Sequence, residues 1–280
     1  LSAIALSLAL FAAGLHATWN AMVKVATDRA LVLAAIAGVH SVCGLALMAI
    51  GGVPASASWP YIAASAILHY LYYLLLHESY RFGDLSQVYP IARGMAPLLV
   101  ALGALAFAGE ALSVQAWIAI AITSAGIMAI AVLHRNPLKA GGRTLAYTAA
   151  NGLVIAAYST VDGIGVRLAG APLGYMAWLF FLEFPVVLVI FANRRDAVSA
   201  FAGRAMLLPL AGGLLSVGAY GIVLYANTLA PLGAVSAVRE SSVIIAALIG
   251  TLLLGETPRL PRLGSAALVC VGIVMLATTR

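Results

Sequence analysis

The sequence predicts an all-α polytopic membrane protein, with ten transmembrane helices arranged as two inverted five-helix repeats. Three observations carry that expectation. Of the 280 residues, 64% are hydrophobic and 9% charged, and the mean hydropathy is +1.07, whereas about a quarter of the residues of a soluble domain are charged. Runs such as Ile244 to Leu254 and Val186 to Ala192 are apolar on every face, where a barrel strand would alternate apolar and polar side chains. The third observation is a set of residues that recurs at a fixed offset between the two halves.

A helical span needs about 20 apolar residues, and proline, glycine and charge punctuation divides the chain accordingly. The spans fall at 2–24, 30–51, 59–81, 85–108, 114–133, 144–168, 172–192, 205–229, 232–254 and 262–278. Asp28-Arg29 separates the first two, Gly51-Gly52 closes the second, and Trp59-Pro60 opens the third. Arg81 to Asp84, Gly109-Glu110 and His134-Arg135 close the third, fourth and fifth. Pro172, Asn193 to Arg195, Pro231 and Gly255-Glu256 mark the seventh to ninth. The links are short, so no loop holds a separate soluble domain. No cleavable signal peptide is expected, because the first span carries His16, Asn20 and Lys24 and lacks a basic segment before its apolar part.

The repeat follows from residue pairs. Gly109-Glu110 and Gly255-Glu256 lie 146 residues apart, and the same offset sets Arg93 on Arg239 and Gly126 on Gly272. An offset of 143 sets His16-Ala17 against Ser159-Thr160 and Lys24 against Arg167. The halves are 1–138 and 139–280, with five spans each. An odd number of spans per half forces the halves into opposite orientations, the inverted-repeat plan of many secondary transporters.

Other chemistries lack their signatures. Cys43 and Cys270 lie in apolar runs and imply neither a disulfide framework nor a thiol metal cluster. Walker, zincin and nucleophile-elbow motifs are absent, and neither a cofactor nor a metal is expected. The net charge of +6 rests on scattered residues, of which only Lys24 and Lys139 are lysines. They suit membrane orientation or anion binding and leave no nucleic-acid footprint.

The few deep polar residues nominate a site, since a charge at mid-span costs about 2.5–3.5 kcal/mol on insertion scales. Arg93 and Arg239 occupy equivalent places in inverted halves, so both approach the midplane, where two guanidiniums would clamp a carboxylate or phosphate. Alternatively, Glu240, Glu183 or Asp162 neutralises Arg239 and the pairing only locks helices. Tyr89, four residues before Arg93, is counted with the binding residues. His69, Tyr73 and His77 recur every four residues on one helical face, a wall suited to an organic solute, with an aromatic belt as the alternative for the end of that span. His16 and Asn20, Tyr158 in the repeat-related helix, and Tyr220 and Ser242 complete the expected substrate-binding set. Asp162, Glu240 and His69 are the expected carriers of a coupled proton, Asp162 having static pairing with Arg167 as its alternative. Pro90 and Pro97 predict a hinge around Arg93, with no counterpart in the ninth span. Ala121, Ala125 and Ala129, and likewise Gly264 and Gly272, predict ridges for close helix packing.

The five-plus-five plan, Phe107-Ala108-Gly109-Glu110 and Leu254-Gly255-Glu256 at equivalent helix ends, and Gly14-Leu15-His16-Ala17-Thr18-Trp19-Asn20 in the first span resemble the EamA-type branch of the drug/metabolite transporter superfamily. The resemblance covers essentially the whole chain. It implies export of amino acids or other metabolites, or exchange of phosphorylated sugars, through a cavity lined by helices three, four, eight and nine. The expectation is a secondary-active exporter or exchanger of a small anionic or zwitterionic metabolite in the cell inner membrane. Its partners would be the small-molecule substrate, the lipid bilayer and a coupled proton, and it would act as a monomer or homodimer. An integral membrane enzyme acting on a lipid phosphate is the alternative. Eleven basic residues in the odd-numbered loops, against Arg167 and Arg280 in the even-numbered loops and termini, place both termini outside; the resemblance implies cytosolic termini.

Overall fold

The computed structural model describes residues 1–24, 29–82, 85–134, 141–194, 206–248 and 259–279. These residues are helical almost throughout, and no strand occurs among them. The first half holds α1 (Ala3–Lys24), α2 (Arg29–Met48), α3 (Trp59–Phe82), α4 (Leu85–Ala108) and α5 (Val114–His134). The second holds α6 (Gly142–Leu168), α7 (Pro172–Phe181), α8 (Phe184–Asn193), α9 (Leu207–Asn227), α10 (Leu232–Arg239), α11 (Ser242–Leu248) and α12 (Arg259–Thr278). Seven of the described stretches are long and apolar enough to cross a membrane, with α7 and α8 together forming one of them, Pro172–Asn193. Shorter apolar stretches, Val114–Ile130 and Leu263–Thr278, lie in α5 and α12. The chain is a multi-pass membrane protein.

Two helix breaks depart from the expected continuous spans. Between α7 and α8, Pro185 has no N–H to offer the Phe181 carbonyl four residues back. The chain tightens there, with Glu183 N–H bonding to Phe180 O at 3.2 Å and Val186 N–H to Glu183 O at 3.0 Å. The second break, at Glu240-Ser241, contains no proline. Ser241 N–H bonds to Val238 O at 3.0 Å and Val243 N–H to Glu240 O at 2.9 Å, a three-residue spacing that winds one turn as 3₁₀ helix. No break accompanies the hinge expected at Pro90 and Pro97, since α4 runs through both prolines, while the stretch 146 residues further on is interrupted.

The bundle packs α5 on α12, α4 on α5 and α6, and α2 on α7 and α8; α1 packs on α9 as α3 packs on α6. Close approach depends on small residues. A Cβ added to Gly126 would lie 2.8 Å from a Val269 methyl and 3.2 Å from Ser265 O, and one added to Gly272 would lie 2.2 Å from Thr123 Oγ1 and 2.7 Å from Ala119 O. The 146-residue offset exchanges these crossings, setting 126 on 272, 123 on 269 and 119 on 265. The expected ridge is thereby corrected. Ala121 and Ala125 are exposed and a Cβ on Gly264 would meet nothing within 4 Å; Ala119, Thr123 and Gly126 form the contact face. The helix turns by about 100° per residue, so choosing among three alanine-rich rows required the partner helix.

Gly109 ends α4 with φ +66°, a left-handed conformation that glycine adopts without a Cβ penalty. Glu110 then turns back across the bundle. Its Oε2 accepts the Leu232 N–H at 2.8 Å, satisfying an open donor at the start of α10, and its Oε1 lies 2.5 Å from Arg167 Nη1. Arg167 also donates to the carbonyls of Asn227 at 2.6 Å and Ala230 at 2.8 Å. The Gly-Glu ending is thus a clasp joining α4, α6 and the α9–α10 turn. The alternative pairing of Asp162 with Arg167 gives way to this one. Glu256, the repeat equivalent, lies outside the described residues.

Candidate functional site

A carboxylate shared by two arginines forms the centre of the site. Arg93, in the third turn of α4, is 5% exposed; Arg239, the last residue of α10, is 4% exposed; Glu240, in the break, is fully buried. Glu240 Oε2 lies 3.1 Å from Arg93 Nε and Oε1 lies 3.3 Å from Arg239 Nη2. Arg239 ends α10 and Glu240 follows it directly at the α10–α11 break, so two consecutive residues serve one cluster. His16 of α1 completes it, with Nε2 3.1 Å from Arg93 Nη2. A guanidinium only donates, so the imidazole offers its Nε2 lone pair and adds no charge. The four side chains therefore sum to one positive charge inside an apolar bundle.

The break also gathers buried polar atoms that lack hydrogen-bond partners among the described residues: Arg239 Nε and the hydroxyls of Ser236, Ser241 and Ser242. A buried donor left unmade costs about 1–3 kcal/mol, and these atoms are concentrated beside two arginines.

An aromatic wall adjoins the cluster. The His69 ring lies 4.3 Å from that of Tyr158 and 6.0 Å from that of Tyr220; Tyr158 and Tyr220 are 6.3 Å apart, and Tyr72 is 5.9 Å from Tyr158. Tyr158 lies within electrostatic reach of Arg239, Arg93, Glu240 and Asp162. Asp162 is fully buried and accepts hydroxyls from Tyr175 at 2.9 Å and Tyr220 at 2.5 Å. Small residues make this possible: a Cβ on Gly165 would lie 2.5 Å from the Tyr175 hydroxyl.

The structure thus brings Arg93, Arg239, Glu240 and His16 together, with Tyr158, His69, Tyr220 and Asp162 alongside. Ser242 is buried at the break. Asn20 donates to His16 O at 2.8 Å within its own helix. Tyr73 aims its hydroxyl at Glu183 Oε2, 3.3 Å away. His77 and Tyr89 belong to α3 and α4, but their side chains lie outside the described residues. Sequence reasoning did not single out Tyr175, His40 or Ser236. His40 carried a legible signal, a lone imidazole midway along the apolar span Leu31–Met48.

Fold and site together define a multi-pass membrane protein with a buried charged cluster. Residues 143–278 match the model of the EamA-like transporter family. That stretch is therefore similar to the EamA-like transporter family, part of the drug/metabolite transporter superfamily, whose members are membrane transporters of small solutes. A solved crystal structure of another protein is similar over 98% of this chain and 96% of its own, with a TM-score of 0.78 at 16% identity. At that identity the likeness is one of fold. No curated protein matches the chain.

Proposed function

We propose that the protein is a secondary-active transporter that moves a small organic anion or zwitterion by alternating access, as an exporter or exchanger in the cell inner membrane. An amino acid is the favoured solute. The observation that carries this reading is the Arg93–Glu240–Arg239 cluster, in which two buried guanidiniums share one carboxylate. An uncompensated charge at this depth is costly, and a solute carboxylate on the Arg239 side would restore neutrality while engaging the unpartnered Arg239 Nε, Ser241 and Ser242. Tyr158, His69 and Tyr220 supply the wall for the organic portion. Asp162, across Tyr158, would face an ammonium group at the other end of a zwitterion.

Ten spans in two inverted halves, 1–138 and 139–280, form part of the proposal. It is supported by the matched pairings of α1 with α9 and of α6 with α3, and by the exchanged Gly126 and Gly272 crossings. The 3₁₀ turn at Glu240 is the proposed hinge, because solute binding there acts on the geometry of the break. Binding by the arginines is tested by exchange in proteoliposomes across a panel of amino acids and carboxylates. Arg239→Ala is expected to abolish exchange of the transported solute while the protein still inserts. Wild-type exchange retained by both Arg239→Ala and Arg93→Ala would overturn the assignment.

A further inference from the structure

A second ionic pair lies apart from the arginine cluster. Glu183 falls in the α7–α8 break, midway along Pro172–Asn193, and His40 lies midway along Leu31–Met48. Their exposures are 7% and 6%. His40 Nδ1 is 3.1 Å from Glu183 Oε2, and no other group among the described residues gives His40 a hydrogen bond. Tyr73 of α3 donates to the same Glu183 oxygen at 3.3 Å. The hydroxyl of Tyr70 bonds to the Leu182 carbonyl, pinning α3 to the break itself.

We propose that His40, Glu183 and Tyr73 form a proton-binding site whose occupancy is coupled to the α7–α8 break. Its role in driving transport rests on the transporter reading above; the binding of the proton does not.

Charge arithmetic supports the assignment. With one proton to share, the pair is neutral overall, whether as imidazolium with carboxylate or as imidazole with carboxylic acid. Gaining or losing a proton leaves a net charge in apolar surroundings, which is costly unless water reaches the site. Such a pair retains its proton while closed and exchanges it when opened, the behaviour that coupling requires. Among the described residues the other two buried carboxylates are already committed, Glu240 to two guanidiniums and Asp162 to two tyrosine hydroxyls.

The titratable groups facing the pair come from several elements. They are Tyr73, Tyr70 and His69 of α3, each within electrostatic reach of Glu183. Beyond the Phe180 ring, which packs 5.2 Å from His40 and 6.4 Å from Tyr220 of α9, α6 and α7 contribute Asp162 and Tyr175, which are bonded to each other. The break gives proton binding a mechanical outlet, since α8 starts directly after Glu183 and α2 packs on both α7 and α8.

The test reads the pair directly. Infrared difference titration of the full chain in nanodiscs between about pH 5 and 8, the range in which imidazole changes charge, is expected to show carboxyl and imidazole bands titrating together. Glu183→Gln should remove the carboxyl band. In proteoliposomes supplied with a radiolabelled amino-acid mixture, Glu183→Gln should lower accumulation under a pH gradient by about tenfold while exchange at equal pH persists. Absence of a titrating carboxyl band in wild type, or its persistence in Glu183→Gln, overturns the proposal. Should Glu183→Gln fail to insert, His40→Gln and Tyr73→Phe carry the test: a shifted carboxyl titration supports the site and an unshifted one in both overturns it. A carboxyl band lost in Glu183→Gln alongside wild type that moves no solute would uphold the proton site and sink the transport reading.

Discussion

Arg93 and Glu240 connect the two halves of the chain, with Arg93 Nε 3.1 Å from Glu240 Oε2. Removing one member of a buried pair costs about 3–5 kcal/mol, because the other is left uncompensated. Arg239 still holds Glu240 at 3.3 Å, so Arg93→Met is expected at the lower end, about 3 kcal/mol. Arg239→Met should cost less, because its contact is with its own neighbour and ties no helices together. Unfolding in detergent measures both, and a cycle with Glu240→Gln should give a coupling of about 2 kcal/mol for Arg93.

The Glu110–Arg167 clasp is expected to respond differently. Arg167 keeps 30% of its side chain exposed, and exposed ion pairs contribute about 1 kcal/mol or less. The bond from Leu232 N–H to Glu110 is the larger share, as for a helix cap worth about 1 kcal/mol. Glu110→Ala should therefore lower stability by about 1–2 kcal/mol. Glu110→Gln, which keeps an acceptor for Leu232, should lose less than half of that. Equal losses in the two variants would assign the clasp to charge instead.

Asp162 depends on two tyrosine hydroxyls in unequal surroundings. Tyr175 is fully buried, whereas Tyr220 is half-buried. Deleting a donor to a buried carboxylate costs about 1–3 kcal/mol unless water substitutes. Tyr175→Phe is expected toward the upper end of that range and Tyr220→Phe toward the lower. Thermal unfolding of the two variants gives the order directly, and a reversed order would place water access on the Tyr175 side.

The legibility of these features in the sequence divides along physical lines. Span limits follow from the length of apolar runs, and α3, α4 and α5 begin at the residues read from composition alone. The depth criterion found Arg93 and Arg239, and the repeat made them a pair. The sharing of Glu240 was hidden, because it depends on the packing of α4 against α10, beside a break that no proline or glycine announces. Pro185 did announce the α7–α8 break, but proline is tolerated inside α4 at Pro90 and Pro97, so the residue type alone does not decide. The depth criterion also applied to His40 and Glu183. It named Glu183 only as a partner for an arginine, since contacts between distant spans leave no trace in spacing.

The α5–α12 crossing yields the sharpest packing prediction. A Cβ on Gly272 would lie 2.2 Å from Thr123 Oγ1, 2.7 Å from Ala119 O and 2.9 Å from Thr123 N. A hydroxyl can rotate away, but the two backbone atoms belong to a helix and cannot move singly, so the helices must separate. Overpacking of this kind costs about 1–3 kcal/mol, and Gly272→Ala is expected within that range. Gly264, two turns earlier on the same helix, meets nothing within 4 Å of an added Cβ. There alanine only restricts the unfolded chain and favours the helix, so Gly264→Ala should be neutral or stabilising by up to about 1 kcal/mol. Gly126→Ala, whose Cβ would meet Val269 N at 3.0 Å and Ser265 O at 3.2 Å, should also destabilise, though by less than Gly272→Ala. Unfolding midpoints ordered Gly264→Ala, Gly126→Ala, Gly272→Ala from most to least stable would support the crossing; equal midpoints for the three would mean that α5 and α12 are not held this closely.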